Sequence, residues 1–277
     1  MTTLDAPLGA DRWGEFARDL WLAHVLADVA DEVAMARFGA ADLRVESKPD
    51  MTPVTDADRA VEQAIRGKLA KARPADAILG EEFGGALGAG RTWVIDPIDG
   101  TKNFVRGVPV WATLIGLVDN GEAVLGVVSA PSLGRRWFAA RGTGAWKGLS
   151  LASASALRVS GVSRLGDASF SCSSVGGWAE RGRLAAYLAL TKSVWRTRGY
   201  GDFWSYMLLA EGAVDLAAEP ELALHDMAAC AVIVAEAGGR FTDTRGEIEG
   251  PFGADALATN GLLHEEAVEV LEGGAGR

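Results

Sequence analysis

Residues 93–104 read Trp-Val-Ile-Asp-Pro-Ile-Asp-Gly-Thr-Lys-Asn-Phe, and no other stretch limits the possible folds as much. Trp93, Val94 and Ile95 have the aromatic and β-branched character of a buried strand end. Pro97 offers no N–H to a sheet ladder and fixes its own φ, while Gly100 allows a turn that other residues resist. The strand is therefore expected to stop in a rigid turn carrying Asp96 and Asp99. Two carboxylates held close in a partly buried place repel each other unless a cation lies between them, and hard oxygen donors point to Mg²⁺. The free N–H groups around Gly100 and Thr101 have the character of the anion-binding start of a helix beside that metal. A metal next to an amide nest suits a phosphate group. Asp, Pro and Gly are also ordinary turn residues, so the segment alone equally describes a solvent-facing turn, and further acids have to decide.

Charge and composition narrow the partners. The net charge of −10 disfavours a nucleic-acid backbone or an anionic membrane, and admits a phosphate monoester only where divalent cations invert the local field. Apolar residues make up 49% of the 277, yet charged residues interrupt each apolar run before the roughly 18 that a membrane-spanning helix needs. Residues 1–11 lack a basic segment followed by an apolar core, so a cytoplasmic location is expected. With three histidines and two cysteines, Cys172 and Cys230, neither a His-rich zinc site nor a thiolate cage nor a disulfide framework is expected. Carboxylates must carry the chemistry.

Along the chain, residues 1–11 read as a disordered tail, and apolar positions at helical spacing predict an amphipathic helix over 13–38. Pro49 and Pro53 forbid helix until Thr55, from which a helix runs to about Ala72. Asp58, three residues after Thr55, can close a capping box or serve chemistry. Residues 78–80 form a short strand ending in Glu81-Glu82, and 92–95 another ending in the aspartates; as neighbours they would bring both acidic pairs to one edge. Glu81 alone could equally be a solvated surface acid. A glycine-rich loop, 84–90, reads as mobile. Residues 111–118 and 123–129, joined by Asp119-Asn120-Gly121-Glu122, predict a hairpin, with 135–140 as a further strand. No phosphate-binding loop or dinucleotide motif occurs. A small, polar seam at 147–156 separates two halves, 12–150 and 151–272, with 273–277 as a tail. In the second half, strands at 168–173, 214–218, 240–242 and 256–258 alternate with helices at 180–191, 203–211, 226–237 and 262–271. Asp226 is either the N-cap of its helix or an acid presented to the site. Glu219 follows the strand at 214–218.

Taken together, Val54-Thr55-x-x-Asp58, Gly80-Glu81-Glu82, Asp96-Pro97-Ile98-Asp99-Gly100-Thr101 and Asp226-x-Ala228-Ala229 resemble the motifs of the inositol monophosphatase family, a group of Mg²⁺-dependent, lithium-sensitive phosphatases. The resemblance spans about Ala17 to Leu271. It implies an α/β fold, a layered αβαβα sandwich in which both halves form one catalytic unit, and a homodimer. It implies that Glu81, Asp96 and the Ile98 carbonyl hold one metal, that Asp96, Asp99 and Asp226 hold a second, and that a weaker third ion sits by Glu81. The ions implied are Mg²⁺, with Mn²⁺ as a substitute and Li⁺ as an inhibitor. Asp58 and Thr101 would orient and deprotonate the attacking water, and the Gly100 and Thr101 amides would bind phosphate. Lys48 is either a phosphate contact or a loop cation. Such sites clamp attacking and leaving oxygens and acidify bound water, so no protein nucleophile is required. One departure is His225, where the family usually has tryptophan.

Within the family, Arg198-x-Tyr200-Gly201-Asp202-Phe203-x-Ser205-Tyr206, with Ala210-Glu211-Gly212 and Glu219-Pro220, is most similar to the branch acting on histidinol phosphate in histidine biosynthesis. That substrate carries an ammonium and an imidazole, which Asp202 and Glu219 can pair with, Arg198 lying on the same substrate-facing stretch. Asp202 can alternatively cap the helix that starts at Phe203. The implied activity is hydrolysis of L-histidinol phosphate to L-histidinol and phosphate. The same chemistry on myo-inositol 1-phosphate or a sugar bisphosphate, and a non-catalytic metal- or phosphate-binding regulator, remain the alternatives.

Overall fold

A computed structural model describes residues 10–48 and 52–273. The chain opens with a 3₁₀ turn over Ala10–Phe16 and the helix α1, Ala17–Arg37. The helix expected from Trp13 begins four residues later because Gly14 sits at φ +62, outside helical space. The expected tails lie outside the described residues except for Ala10, Asp11 and Gly273, the first two of which belong to that turn. A short antiparallel pair, β1 (Val45–Ser47) and β2 (Pro53–Thr55), leads into α2, Asp56–Ala72.

Seven strands then form one sheet in simple chain order: β3 (Ala77–Gly80), β4 (Thr92–Asp99), β5 (Ala112–Asp119), β6 (Glu122–Ala130), β7 (Arg135–Ala140), β8 (Ala145–Lys147) and β9 (Ser155–Ala156). Only β3 and β4 are parallel neighbours; every other pair is antiparallel. A one-turn helix, α3 (Thr101–Val105), separates β4 from β5. The expected hairpin is present, and Asn120 and Gly121 take φ values of +51 and +82, as a tight turn between twisted strands requires.

A second, mixed sheet has the order β11 (Arg196–Arg198), β10 (Ser169–Ser171), β12 (Leu216–Glu219), β14 (Ala256–Thr259), β13 (Arg240–Thr242). Its helices are α4 (Val175–Glu180), α5 (Leu184–Ser193), α6 (Asp202–Ala210), α7 (Leu224–Glu236) and α8 (His264–Leu271). The helix expected over 180–191 is α5, which starts only at Leu184 because Gly182 at φ +68 breaks the chain after α4, a short helix that the sequence pattern did not predict.

Three apolar cores stack these elements into five layers. Leu20 and Leu26 of α1 and Ile65 of α2 pack on Trp93, Ile95, Ile115 and Leu117, on one face of the large sheet. The opposite face, with Leu114, Val128 and Trp137, meets Phe203 and Met207 of α6 and Met227 and Ile233 of α7, which in turn meet Ala217 and Ala258 of the second sheet. Phe170, Leu216 and Leu257 close the far side against Trp178, Leu190 and Leu271 of α4, α5 and α8. The order helix, sheet, helix, sheet, helix is the αβαβα sandwich that the motifs implied. Alternation along β4 and β5 explains it, since successive side chains point to opposite faces and both faces are covered. α7 comes unusually close to the large sheet: a Cβ on Gly126 would lie 2.3 Å from the Ala229 carbonyl, and one on Gly116 2.9 Å from the Ala228 Cβ. The small pair Ala228-Ala229 thus lets the start of α7 reach the edge where β3 and β4 end.

Candidate active site

Five segments meet at that edge. The first is the start of α2. Thr55 ends β2 and caps α2: its hydroxyl accepts the N–H of Ala57 at 3.1 Å and of Asp58 at 3.3 Å, and its own N–H donates to Asp58 Oδ2 at 2.8 Å. The capping box is therefore real, yet it uses one carboxylate oxygen. Asp58 Oδ1 accepts from the Thr101 hydroxyl at 3.3 Å, and that hydroxyl also lies 3.0 Å from the Ile98 carbonyl. Asp58 is wholly buried, and burial pushes its pKa up to about 6 against the opposing effect of the Thr55 bonds, with the charges of Glu82 and Glu81 adding to the rise.

The second and third are the ends of β3 and β4. Parallel pairing sets Gly80 beside Ile95, and the Glu81 N–H donates to the Ile95 carbonyl at 3.1 Å, so Glu81 and Asp96 emerge side by side. Pro97 does not end the strand as expected. β4 runs on to Asp99 through a bulge, Asp96 pairing with Leu114 and Asp99 with Ala112, three steps on one strand against two on the other. The extra residue absorbs a proline that has no N–H to give, and it resets the side-chain alternation so that Asp96 and Asp99 reach the same place. The Pro97 carbonyl is still used, accepting from the Thr113 hydroxyl at 2.8 Å. Gly100 follows at φ +84; a Cβ there would lie 3.0 Å from the Val110 carbonyl and 3.1 Å from Asp202 Oδ2.

The fourth is α7. It begins at Leu224, so Asp226 is its third residue and not its N-cap; Asp226 Oδ2 accepts the N–H of Ala223 at 2.7 Å. His225 Nε2 lies 3.7 Å from Asp226 Oδ1. One oxygen each of Asp96, Asp99 and Asp226 falls within 4.8 Å of the others. Asp96 and Asp99 have pKa values well above the carboxylate range, first through burial, then through each other's neighbours: Glu81, Asp99 and Asp226 about Asp96, and Asp202 and Asp226 about Asp99. Asp226 is raised too, burial outweighing the positive influence of His225. Among the described residues, Asp96 Oδ1 is buried without a hydrogen-bond partner. Three converging hard-oxygen donors, one of them orphaned, fit a divalent cation of the Mg²⁺ type.

The fifth is the start of α6. Its Phe203 N–H donates to Asp99 Oδ2 at 2.7 Å, so Asp99 and not Asp202 takes that amide. Asp202 sits at φ +40, a conformation uncommon outside glycine but tolerated by aspartate, and its carboxyl pKa is raised by burial and by Asp226 against the pull of Lys102. Glu219, at the end of β12, is buried and accepts the N–H of Ser173; burial pushes its pKa up to about 7, with Ser173 opposing and Asp202 and Asp226 reinforcing.

Two expected residues stand apart from the aspartates. Lys48 Nζ lies 2.6 Å from Glu81 and 2.7 Å from Glu82, whose charges outweigh its partial burial and hold the ammonium protonated beyond its ordinary range. Arg198 is exposed at the end of β11 and donates to the Thr197 carbonyl at 2.8 Å; among the described residues no hydrogen bond or ion pair joins it to the carboxylates. One residue escaped the sequence reading. Glu62 is fully buried beneath Glu81 and Glu82, and its signal was the spacing Asp58, Glu62, Arg66, which puts all three on one stripe of α2.

Residues 20–273 match the model of the inositol monophosphatase family. The chain is 60% identical to the histidinol-phosphatase of Streptomyces coelicolor, covering 93% of this chain and 98% of that one, and 57% identical to the histidinol-phosphatase of Mycobacterium tuberculosis, covering 92% and 98%. Its fold is similar to a solved inositol monophosphatase from Zymomonas mobilis, with a TM-score of 0.82 at 32% identity, over 93% of this chain and 99% of the other.

Proposed function

The chain belongs to the inositol monophosphatase family, and from that premise we propose that it hydrolyses L-histidinol phosphate to L-histidinol and phosphate. The family is metal-dependent, and its phosphatases act on small-molecule phosphate monoesters. The observation that supports the substrate is the gathering of Asp202 and Glu219, from α6 and β12, about the aspartate triad. A ligand with an ammonium and an imidazole gains from two such buried acids, whereas a neutral polyol does not. The two relatives named histidinol-phosphatase agree with it.

The residues divide the work as follows. Asp96, Asp99 and Asp226, with Glu81 and the Ile98 carbonyl, would hold Mg²⁺, two ions with a weaker third at Glu81, Mn²⁺ substituting and Li⁺ inhibiting. When bound, the ions polarise the phosphoryl oxygens and acidify a water. Asp58 Oδ1 and the Thr101 hydroxyl would orient the attacking water; as its oxygen bonds to phosphorus its proton passes to Asp58, and the ester P–O bond breaks with its electron pair going to the histidinol oxygen, which takes a proton from solvent. The amides of Gly100 and Thr101 orient the phosphate, and Lys48, released from Glu81, adds a cation near its oxygens. Asp202 and Glu219 face the cationic end of the alcohol, with Arg198 at the outer rim. The enzyme acts as a homodimer in the cytoplasm.

Phosphate release from L-histidinol phosphate and from myo-inositol 1-phosphate, each with Mg²⁺ and with chelator, tests this directly. A Mg²⁺-dependent preference for histidinol phosphate that Asp202→Asn weakens is expected. Preference for the inositol ester, unmoved by Asp202→Asn, would overturn the substrate and leave the metal chemistry standing.

A further inference from the structure

Glu62 is an acid buried in the second turn of α2 with no place among the groups that meet substrate or metal, and its surroundings are unusual. Its Oε2 accepts the N–H of Glu82 at 2.7 Å and its Oε1 the N–H of Phe83 at 3.3 Å. The Arg66 Nε donates to Oε1 at 2.7 Å, and the same guanidinium reaches the Gly84 carbonyl. Both oxygens therefore serve the start of the loop that follows β3, and Gly84, three residues beyond Glu81, is tied to the same ion pair. Gly80, the last residue of β3, is glycine for this reason: a Cβ there would lie 1.9 Å from Glu62 Oε1 and 2.7 Å from Oε2. Its backbone lies outside the left-handed region, so the demand is for space and not for conformation.

We propose that Glu62, held by Arg66, is a positioning residue that presents Glu81 to the metal, an inference that rests on the metal site proposed above. The loop that Glu81 opens has two backbone bonds near its start, Glu81 N–H to the Ile95 carbonyl at 3.1 Å and Gly80 N–H to the Gly84 carbonyl at 3.0 Å, and neither holds the amides of Glu82 and Phe83. Capture of the next two amides by one buried carboxylate fixes the direction in which the Glu81 side chain leaves the strand. The ion pair compensates the buried charge, and because Asp58 lies one turn earlier on the same stripe, α2 ties the water-orienting acid and the metal-binding loop to one rigid element. Outer partners of metal ligands act in this way, by orienting a ligand they never replace.

Glu62→Gln isolates the role. An amide has one acceptor oxygen, so it can serve Glu82 or Phe83 but turns an NH₂ toward the other, while volume and burial are unchanged. Gly80→Ala displaces the same carboxylate without altering its chemistry. Both variants should remain folded in chelator with some loss of melting temperature, since each disturbs a buried, hydrogen-bonded carboxylate, and in addition should need about tenfold more Mg²⁺ for half-maximal phosphate release, keep most of kcat at saturating Mg²⁺, and bind Mg²⁺ about tenfold more weakly in calorimetry. Wild-type Mg²⁺ affinity in both variants would overturn the proposal, as would a lower melting temperature in chelator with unchanged affinity, which marks a loop staple and nothing more. Asp96→Asn measured alongside separates the two readings. If Asp96→Asn loses Mg²⁺ binding and the other variants keep it, the positioning role fails alone; if Asp96→Asn also binds Mg²⁺ like the wild type, the metal site fails and the positioning role falls with it.

Discussion

Asp99 is asked for two things by different parts of the chain. Its charge belongs to the triad with Asp96 and Asp226, while its Oδ2 accepts the Phe203 N–H at 2.7 Å and so anchors the start of α6. Asp99→Asn separates these duties, since an amide oxygen still accepts the N–H but contributes no negative charge. Phosphate release should fall to background, while the melting temperature in chelator stays level or rises because one of several repelling carboxylates is gone; wild-type turnover in this variant would remove Asp99 from the metal set. Thr101 offers a gentler contrast. Its hydroxyl lies within 3.3 Å of Asp58 and 3.0 Å of the Ile98 carbonyl, so Thr101→Ala should lower kcat by about 10²-fold and Thr101→Ser should restore most of it. Equal activity in the alanine and serine variants would mean that the hydroxyl does not orient the water.

At the scale of elements, the closeness of α7 to the large sheet decides where Asp226 stands. Gly126→Ala would place a methyl 2.3 Å from the Ala229 carbonyl, a backbone atom that cannot swing aside, so the helix must shift. Overpacking of this kind costs about 1–3 kcal/mol, to be read as a lower urea midpoint, and the moved helix should carry Asp226 away and weaken Mg²⁺ binding. A stable Gly126→Ala protein with normal Mg²⁺ affinity would show that the contact is slack. Much of this layer was legible in the sequence because its signals are local: Asn120-Gly121 marks a hairpin, Thr55 with Asp58 marks a helix start, and two acid-tipped strands close in sequence suggest neighbours. The misreadings share a cause. Whether Pro97 ends β4 or sits in its bulge depends on the opposing strand, and whether Asp226 is the N-cap of α7 or the third residue of its first turn depends on where the helix starts, which is at Leu224. Gly182 was a readable break that helical periodicity on either side concealed. Glu62 was visible only as spacing, since what it binds, the Glu82 and Phe83 amides, is distant in sequence.

The molecule as a whole concentrates acids where two sheets and three helices converge, and that arrangement has a measurable sign. Glu219 rises from 4.5 to about 7 and Asp58 from 3.8 to about 6, both chiefly through burial, and Asp96 and Asp99 move the same way. A carboxyl whose pKa is raised by folding binds its proton more tightly in the folded state. Its contribution to stability is complete below about pH 4, where the unfolded chain is also protonated, and is lost as pH rises through the folded value. For Glu219 the loss amounts to about 3 kcal/mol, at about 1.4 kcal/mol per unit. Burial lowers His24 to about 3 and His264 to about 4, so below about pH 6.5 these two make acid the destabilising direction and oppose the acids; above it they are neutral in both states, and without metal the protein should melt lower as pH climbs from about 6.5 to about 8. Divalent cations bind the ionised form of the triad, so Mg²⁺ should restore stability most where the cluster is most charged. Thermal unfolding followed by circular dichroism, in chelator and in excess Mg²⁺, should show a Mg²⁺-induced rise that is small near about pH 5 and large near about pH 8. A rise of equal size at both ends, or a chelated protein that grows more stable with pH above about 6.5, would mean that the buried acids are compensated within the chain and that the cluster does not depend on a cation for its charge.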